Sequence, residues 1–264
     1  MNECLTCGNK RFVVSTRGGL AWATRCPNCS AVCPICQGVG YQFSEGKDGY
    51  EVATTCNCTG LDARIDAFNR AQIPGNYAHA GLEPTSFKSG TNRSLSTARH
   101  DAWKLAKEYA AGSRGVLYHG PCGSGKTHLM IGILRHLALH RGVRVRYIEF
   151  IHLLASLKAR FNDPSRYGDP LADLVAVPVL AVDELGKNRG TDWETGVLDE
   201  LISKRYNANR TTLFTTNLTP VGDARDSLRE RVGERIYSRL IEMCQFEHLQ
   251  SEDYRKIRAA HYDD

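Results

Sequence analysis

The nine residues GPCGSGKTH, Gly120 to His128, combine three glycines, a lysine and a hydroxyl in the spacing GxxxxGK[ST]. Such a stretch is suited to hold a polyphosphate. Glycines at 120, 123 and 125 let the backbone wrap closely and turn its N–H groups onto phosphate oxygens; Lys126 reaches the β and γ phosphates, and Thr127 is placed to ligate Mg²⁺. The candidate ATP contacts are therefore Gly120, Pro121, Cys122, Gly123, Ser124, Gly125, Lys126, Thr127 and His128, with Cys122 a small loop residue. Two carboxylates follow the apolar run VPVLAV, and these have different tasks. Asp183 would hold Mg²⁺ through water, and Glu184 would polarise the attacking water as general base. Asn217, closing TTLFTTN, would lie beside the γ phosphate and position that water between itself and Glu184. Alone, these are a glycine-rich turn, a solvated strand end and a turn asparagine; their order gives them chemical meaning.

A second set of reactive residues is sulfur. Eight of the ten cysteines fall into four close pairs, Cys4/Cys7, Cys26/Cys29, Cys33/Cys36 and Cys56/Cys58. Each pair is followed by a residue suited to a tight turn, so backbone N–H groups could fold back onto thiolates. Between Cys7 and Cys26 stand RFVVS, TRGG and LAWATR; between Cys36 and Cys56 stand YQFSE, GKDG and YEVATT. The same order of knuckle, hairpin and knuckle thus occurs twice. On this reading Cys4, Cys7, Cys26 and Cys29 hold one Zn²⁺, and Cys33, Cys36, Cys56 and Cys58 a second, as in zinc ribbons. The alternatives are a nested pairing, for which Cys33 to Gly40 resembles the CxxCxGxG unit of DnaJ-type chaperones, an iron-sulfur cluster on the central four cysteines, and disulfides. The cluster would orphan the outer pairs. The start MNECLTCGNK has no apolar signal segment, so a reducing cytoplasm and bound zinc are expected.

These groups need elements to position them. GVLYH before the phosphate loop reads as a strand, and LMIGILRHLAL after it as a buried helix, which places the phosphates at a helix N-terminus. VPVLAVDELG reads as a strand buried on both faces with its carboxylates at the ligand edge. TDWE, Thr191 to Glu194, is a capping box that starts the helix WETGVLDELISKRY, and TTLFTTN is the next strand. Leu61 to Asn69 reads as a short linking helix that ends before Ile73-Pro74-Gly75. Domains are accordingly expected at 1–60 (double zinc ribbon), 61–72 (linking helix) and 73–264 (ATPase). Ribbons of roughly 60 residues leave about 200 of the 264, enough for one well-buried α/β domain. No run approaches the ~18 apolar residues of a membrane span, and the net charge of +5 allows a nucleic-acid partner without demanding one.

Taken in order, IPGNY, GPCGSGKTHL, VRYIEFIHLLASLKARF, LAVDELG, KRYNANRTTLFTTNL, GERIYSRLIEMC and SEDYR resemble DnaC-type AAA+ helicase loaders and their transposon relatives of the IstB type, over roughly Ile73 to Arg258. The resemblance implies an α/β AAA+ P-loop fold, with a five-stranded parallel sheet flanked by helices and a short C-terminal lid from about residue 222. It implies Asn217 as first sensor, Arg239 as a finger on a neighbour's nucleotide in an ATP-dependent homo-oligomer, and Arg255 as second sensor, with Arg235 the other candidate finger. It also points to single-stranded DNA. The segment His152 to Pro170 offers Lys158, Arg160, Phe161, Arg166 and Tyr167 as a phosphate track with a stacking contact, although Leu153, Leu154 and Leu157 equally suit an ordinary amphipathic helix.

Three functions follow as expectations. The first is an ATPase that loads or remodels a replicative helicase, and the second is a transposition ATPase that delivers a transposase to DNA. The third, a zinc-ribbon chaperone or nucleic-acid adaptor with nucleotide as a switch, is weakened by Glu184 and by the absence of an HPD tripeptide.

Overall fold

Two small hairpins open the chain in the computed structural model, which describes residues 4–29, 32–46, 48–56, 58–87, 92–161, 169–187, 190–222 and 227–256. Strands β1 (Phe12–Arg17) and β2 (Leu20–Arg25) form the first, and β3 (Tyr41–Glu45) and β4 (Glu51–Thr55) the second, both antiparallel. Gly18 and Gly19 take φ of +57° and +79° in the first turn, the left-handed pair that matches the twist of its strands.

Then follow α1 (Leu61–Asn69), α2 (Arg93–Glu108), β5 (Gly115–His119), α3 (Lys126–Arg141), β6 (Val145–Glu149), α4 (Phe150–Phe161), α5 (Ala172–Ala176), β7 (Val179–Asp183), α6 (Asp192–Asn207), β8 (Thr211–Thr216), α7 (Leu228–Val232), α8 (Glu234–Met243) and β9 (Cys244–His248). Strands β6-β7-β8-β5-β9 form a parallel five-stranded sheet in that order. Strand alternation divides its core in two. Val116, Tyr118, Tyr147, Ala181 and Leu213 pack toward α1, α2 and α3, whereas Leu117, Leu180, Val182 and Phe214 pack with Leu198 and Leu201 of α6 and Leu240 of α8. The sequence pattern yielded three of these strands, β5, β7 and β8, while β6 lies within VRYIEFIHLLASLKARF, which only the resemblance brought out. The fifth, β9, follows α8 without a loop, and only its first residue, Cys244, is fully buried.

Local signals account for the helix ends near the site. Thr191 and Glu194 form the full capping box of α6, and α3 starts directly from the phosphate loop at Gly125. Among the described residues no helix is long and apolar enough to cross a membrane.

The first hairpin is built into the larger core. Phe12, Ala21 and Ala23 are buried with Leu61 and Phe68 of α1, and the Phe12 ring meets His140 of α3 edge-on at 5.8 Å. Asn69 closes a two-way pair with the backbone of Ala23 (2.7 and 3.0 Å), the Ala21 amide donates to the carbonyl of Ile73 (2.8 Å), and the Gly75 amide to that of Gly19 (2.8 Å). The core therefore runs across the boundary expected at residues 61–72. Among the described residues the second hairpin shows no such attachment: Tyr41, Phe43 and Val52 are exposed on it.

Candidate nucleotide site and metal centres

Loop, strand end and helix meet on the face of the sheet that carries α3. Gly120 (φ +139°) and Gly123 (φ +73°) have backbone conformations that side chains avoid, and each is pressed by the C-terminal segment. A Cβ on Gly120 would lie 2.4 Å from the Leu249 carbonyl, and one on Gly123 would overlap Asp253. The Lys126 ammonium donates to the carbonyls of Gly120 (2.8 Å) and Pro121 (2.6 Å), and burial lowers its pKa. Ser124 is buried and Pro121 and Cys122 are exposed. His128 turns to the segment before α2: its Nε2 is 3.0 Å from the Gly81 carbonyl, and its ring lies 5.2 Å from that of Phe87. The side chain named as a nucleotide contact thus packs against protein.

Asp183 is the best-connected carboxylate of the site. Its Oδ1 accepts from Thr127 Oγ1 (3.0 Å) and from Thr215 Oγ1, and its Oδ2 accepts from Tyr147 Oη (2.7 Å). Register explains the gathering: Tyr147 and Glu149 stand opposite Ala181 and Asp183, so all four side chains point to one face. Burial, then the Asp183 charge, raises the phenols of Tyr147 and Tyr77 above their usual range. Glu184 adopts a left-handed φ of +58°, its amide held by Thr215 Oγ1 at 3.0 Å. Its carboxylate pairs with Lys187 at 2.6 Å. Asn217 follows β8 and is exposed. Neither Tyr147, Thr215 nor Lys187 was singled out from the sequence, because only the strand register and the turn after β7 bring them here.

The candidate arginines differ in freedom. Arg239 and Arg235 both lie 3.7 Å from Asp199 of α6, but the Arg239 side chain is 23% exposed and that of Arg235 71%, so Arg239 is the one drawn into the contact. Its guanidinium also lies 5.8 Å from the centre of the Tyr206 ring and donates to the Arg235 carbonyl. Arg255 sits on the segment crossing the phosphate loop. The Tyr254 amide donates to the Gly123 carbonyl (3.1 Å), and Arg255 pairs with Asp253 at 3.1 Å, which raises its pKa.

Of the expected DNA contacts, Lys158 is engaged within the chain, 3.9 Å from Glu194 and 4.9 Å from the centre of the Trp193 ring. Arg160 and Phe161 belong to α4, while Arg166 and Tyr167 lie outside the described residues.

The cysteines gather in sequential fours. The sulfurs of Cys4, Cys7, Cys26 and Cys29 all lie within 4.8 Å of one another, and so do those of Cys33, Cys36, Cys56 and Cys58. A tetrahedral zinc with Zn–S bonds of about 2.3 Å spaces its sulfurs about 3.8 Å apart. Contacts of 3.9 and 3.4 Å in the first group, and 3.8 and 3.3 Å in the second, suit that ion. The Arg11 amide points to Cys7 Sγ at 3.3 Å. Backbone N–H groups of Cys7 and Thr6 lower the Cys4 thiol to about 6, while Cys29, hydrogen-bonded to Cys7 and desolvated, rises to about 12. Closely set thiols that resist joint ionisation are the donor set a dication relieves. The arrangement is that of the sequential pairing, not the nested one.

The family model for IstB-like ATP binding proteins matches residues 79–261. The chain is 28% identical over 211 residues to the phage-like element PBSX protein XkdC of Bacillus subtilis, covering 75% of this chain and 74% of that protein. It is 25% identical over 175 residues to the replicative helicase loader DnaC of Escherichia coli K12, covering 66% and 67%. A crystal structure of the DnaC helicase loader superposes with a TM-score of 0.59 at 25% identity, over 66% of this chain and 99% of that one. DnaI, at 21% identity and a TM-score of 0.53, shares the fold.

Proposed function

The chain belongs to the family of IstB-like ATP binding proteins, DnaC/IstB-type AAA+ ATPases, and from that premise we propose that it is a cytoplasmic, ATP-dependent replication helper that loads or remodels a replicative helicase on single-stranded DNA. The observation carrying this reading is the superposition on 99% of the solved DnaC chain, together with a phosphate loop whose Thr127 is hydrogen-bonded to Asp183.

Bound ATP and Mg²⁺ supply an activated phosphoryl group and the charge that compensates it. The chain's residues do the rest. Lys126 exchanges the Gly120 and Pro121 carbonyls for phosphate oxygens, and Thr127 and Asp183 face the cation. Glu184 leaves Lys187 to take a proton from the attacking water, which Asn217 orients. Arg239 leaves Asp199 and Tyr206 to reach a neighbouring protomer's nucleotide, and Arg255 reaches the phosphates from the segment over the loop. The ribbons hold two zinc ions, and Lys158, Arg160, Phe161, Arg166 and Tyr167 track DNA once assembly reorders the contacts of Lys158.

The test combines the protein with the replicative helicase of its host, ATP and single-stranded DNA, and measures helicase deposition. Wild type should load it and Lys126→Ala, deprived of nucleotide, should not. Arg239→Ala should keep nucleotide affinity and lose about 10³ in turnover. Mixing Arg239→Ala with Lys126→Ala should restore some hydrolysis, because one offers an intact site and the other an intact finger; a dead mixture of co-assembled variants rejects the shared site. The family match itself favours a second reading, delivery of a transposase to DNA, and binding of a transposase with no helicase deposition would select it.

A further inference from the structure

We propose that Tyr147 is a positioning residue for Asp183, and that it sets the cation dependence of nucleotide binding while touching neither nucleotide nor cation. This rests on the ATPase reading of the site.

A carboxylate at the end of a strand can turn about its last bond unless both oxygens are held. In Asp183 the two oxygens have separate keepers among the described residues: Thr127 and Thr215 on Oδ1, Tyr147 on Oδ2. Thr127 belongs to the phosphate loop and is the hydroxyl that a cation would recruit. When it is drawn away, Thr215 and Tyr147 remain, one on each oxygen, and the carboxylate plane stays fixed. The phenol has a single proton to give. Asp183 Oδ2 at 2.7 Å receives it in preference to Glu149 Oε1 at 3.4 Å.

Tyr147 is itself immobilised. Its ring is 5% exposed and lies in the core with α3, and its amide donates to the Ala71 carbonyl at 2.8 Å across the free edge of β6. Beside it Arg146 donates to the Arg70 carbonyl and to Gln72 Oε1 (3.0 and 2.6 Å). The phenol is therefore delivered to Asp183 from a strand whose outer edge is pinned at three points, two of them on backbone carbonyls. Groups that orient ligands in this way contribute about 10- to 100-fold to ion affinity.

The experiment measures binding of a fluorescent, non-hydrolysable ATP analogue to wild type and Tyr147→Phe, once in MgCl₂ and once in magnesium-free buffer without chelator, which leaves the ribbon zinc in place. The variant removes one oxygen and keeps the ring, and its melting temperature reports that the fold is retained. In magnesium its affinity should fall about 10-fold, whereas without magnesium it should match wild type within about twofold. Equal weakening in both conditions would reduce Tyr147 to a packing residue and overturn the proposal, as would no change in either. Wild-type binding that fails to respond to magnesium would overturn the ATPase reading beneath it, an outcome separable because it needs no variant.

Discussion

The two ribbons share a pattern and differ in what surrounds it. Each sets four thiols around one point and spans them with an antiparallel hairpin. In the first, Phe12, Ala21 and Ala23 are 4%, 2% and 1% exposed, sealed against α1 and α3; in the second, Tyr41 and Phe43 stand 52% and 58% exposed. The thiols therefore specify the local hairpin, and the residues between them specify its attachment. LAWATR sets two alanines on one face and gives α1 a flat surface to approach. YQFSE sets two aromatic residues on one face, opposite Thr55 and Ala53, with Glu45 opposite Glu51 at the far end.

The sharpest way to break this contrast is to remove one thiol from each ribbon. A structural zinc is worth on the order of 10 kcal/mol to a small module. Cys26→Ser should therefore lose one of two ions and pull down the ATPase core, seen as a large fall in its calorimetric melting temperature. Cys33→Ser should also retain one ion but leave that transition in place. If both variants lose the same ion while Cys4→Ser keeps it, the sequential assignment fails.

A smaller effect separates the two phenylalanines. Phe12→Ala should cost about 3–5 kcal/mol in denaturant unfolding, the range for a buried aromatic, whereas Phe43→Ala should fall within about 0.5 kcal/mol of wild type. Similar costs at both positions would mean that the second hairpin is covered in solution.

The smallest effect is acid sensitivity of the first attachment. His140 lies against Phe12 and His136, and burial, then His136, lowers its pKa from 6.5 to about 4. The folded state thus binds the proton less readily than the unfolded chain does. Stability from this residue is complete above pH 6.5 and declines as pH falls toward 4. His140→Leu should flatten the urea midpoint across that window relative to wild type; an unchanged slope would remove His140 from the account.

Much of the nucleotide site was legible because its signals are local. A glycine-lysine-threonine spacing, an apolar strand ending in two carboxylates and a capping box each lie within ten residues, and all three fold as read. What escaped was set by tertiary register. Tyr147 is one tyrosine in a strand, and no spacing marks it as a partner of Asp183, 36 residues later. No spacing marks Lys187 or Asp199, yet one pairs with Glu184 and the other draws in Arg239. Strand β9 carries too little apolar alternation to declare itself. For the ribbons, spacing gave the thiol groups but could not say that only the first hairpin would be buried against the helices.

Two joints between the first hairpin and the ATPase core are purely main chain: Ala21 to Ile73 and Gly75 to Gly19. These hydrogen bonds are blind to side-chain identity, so an alanine scan would leave them intact, while the burial of Ala21 and Ile73 limits which side chains fit there. They would surface only where a substitution alters the backbone itself. Ala21→Pro deletes a donor, and a Cβ on Gly75 would lie 2.5 Å from Thr16 Cγ2. In a saturation library the seam would show as Ala21 and Ile73 restricted to residues that fit the core, Ala21 hostile to proline, and Gly75 closed to all side chains.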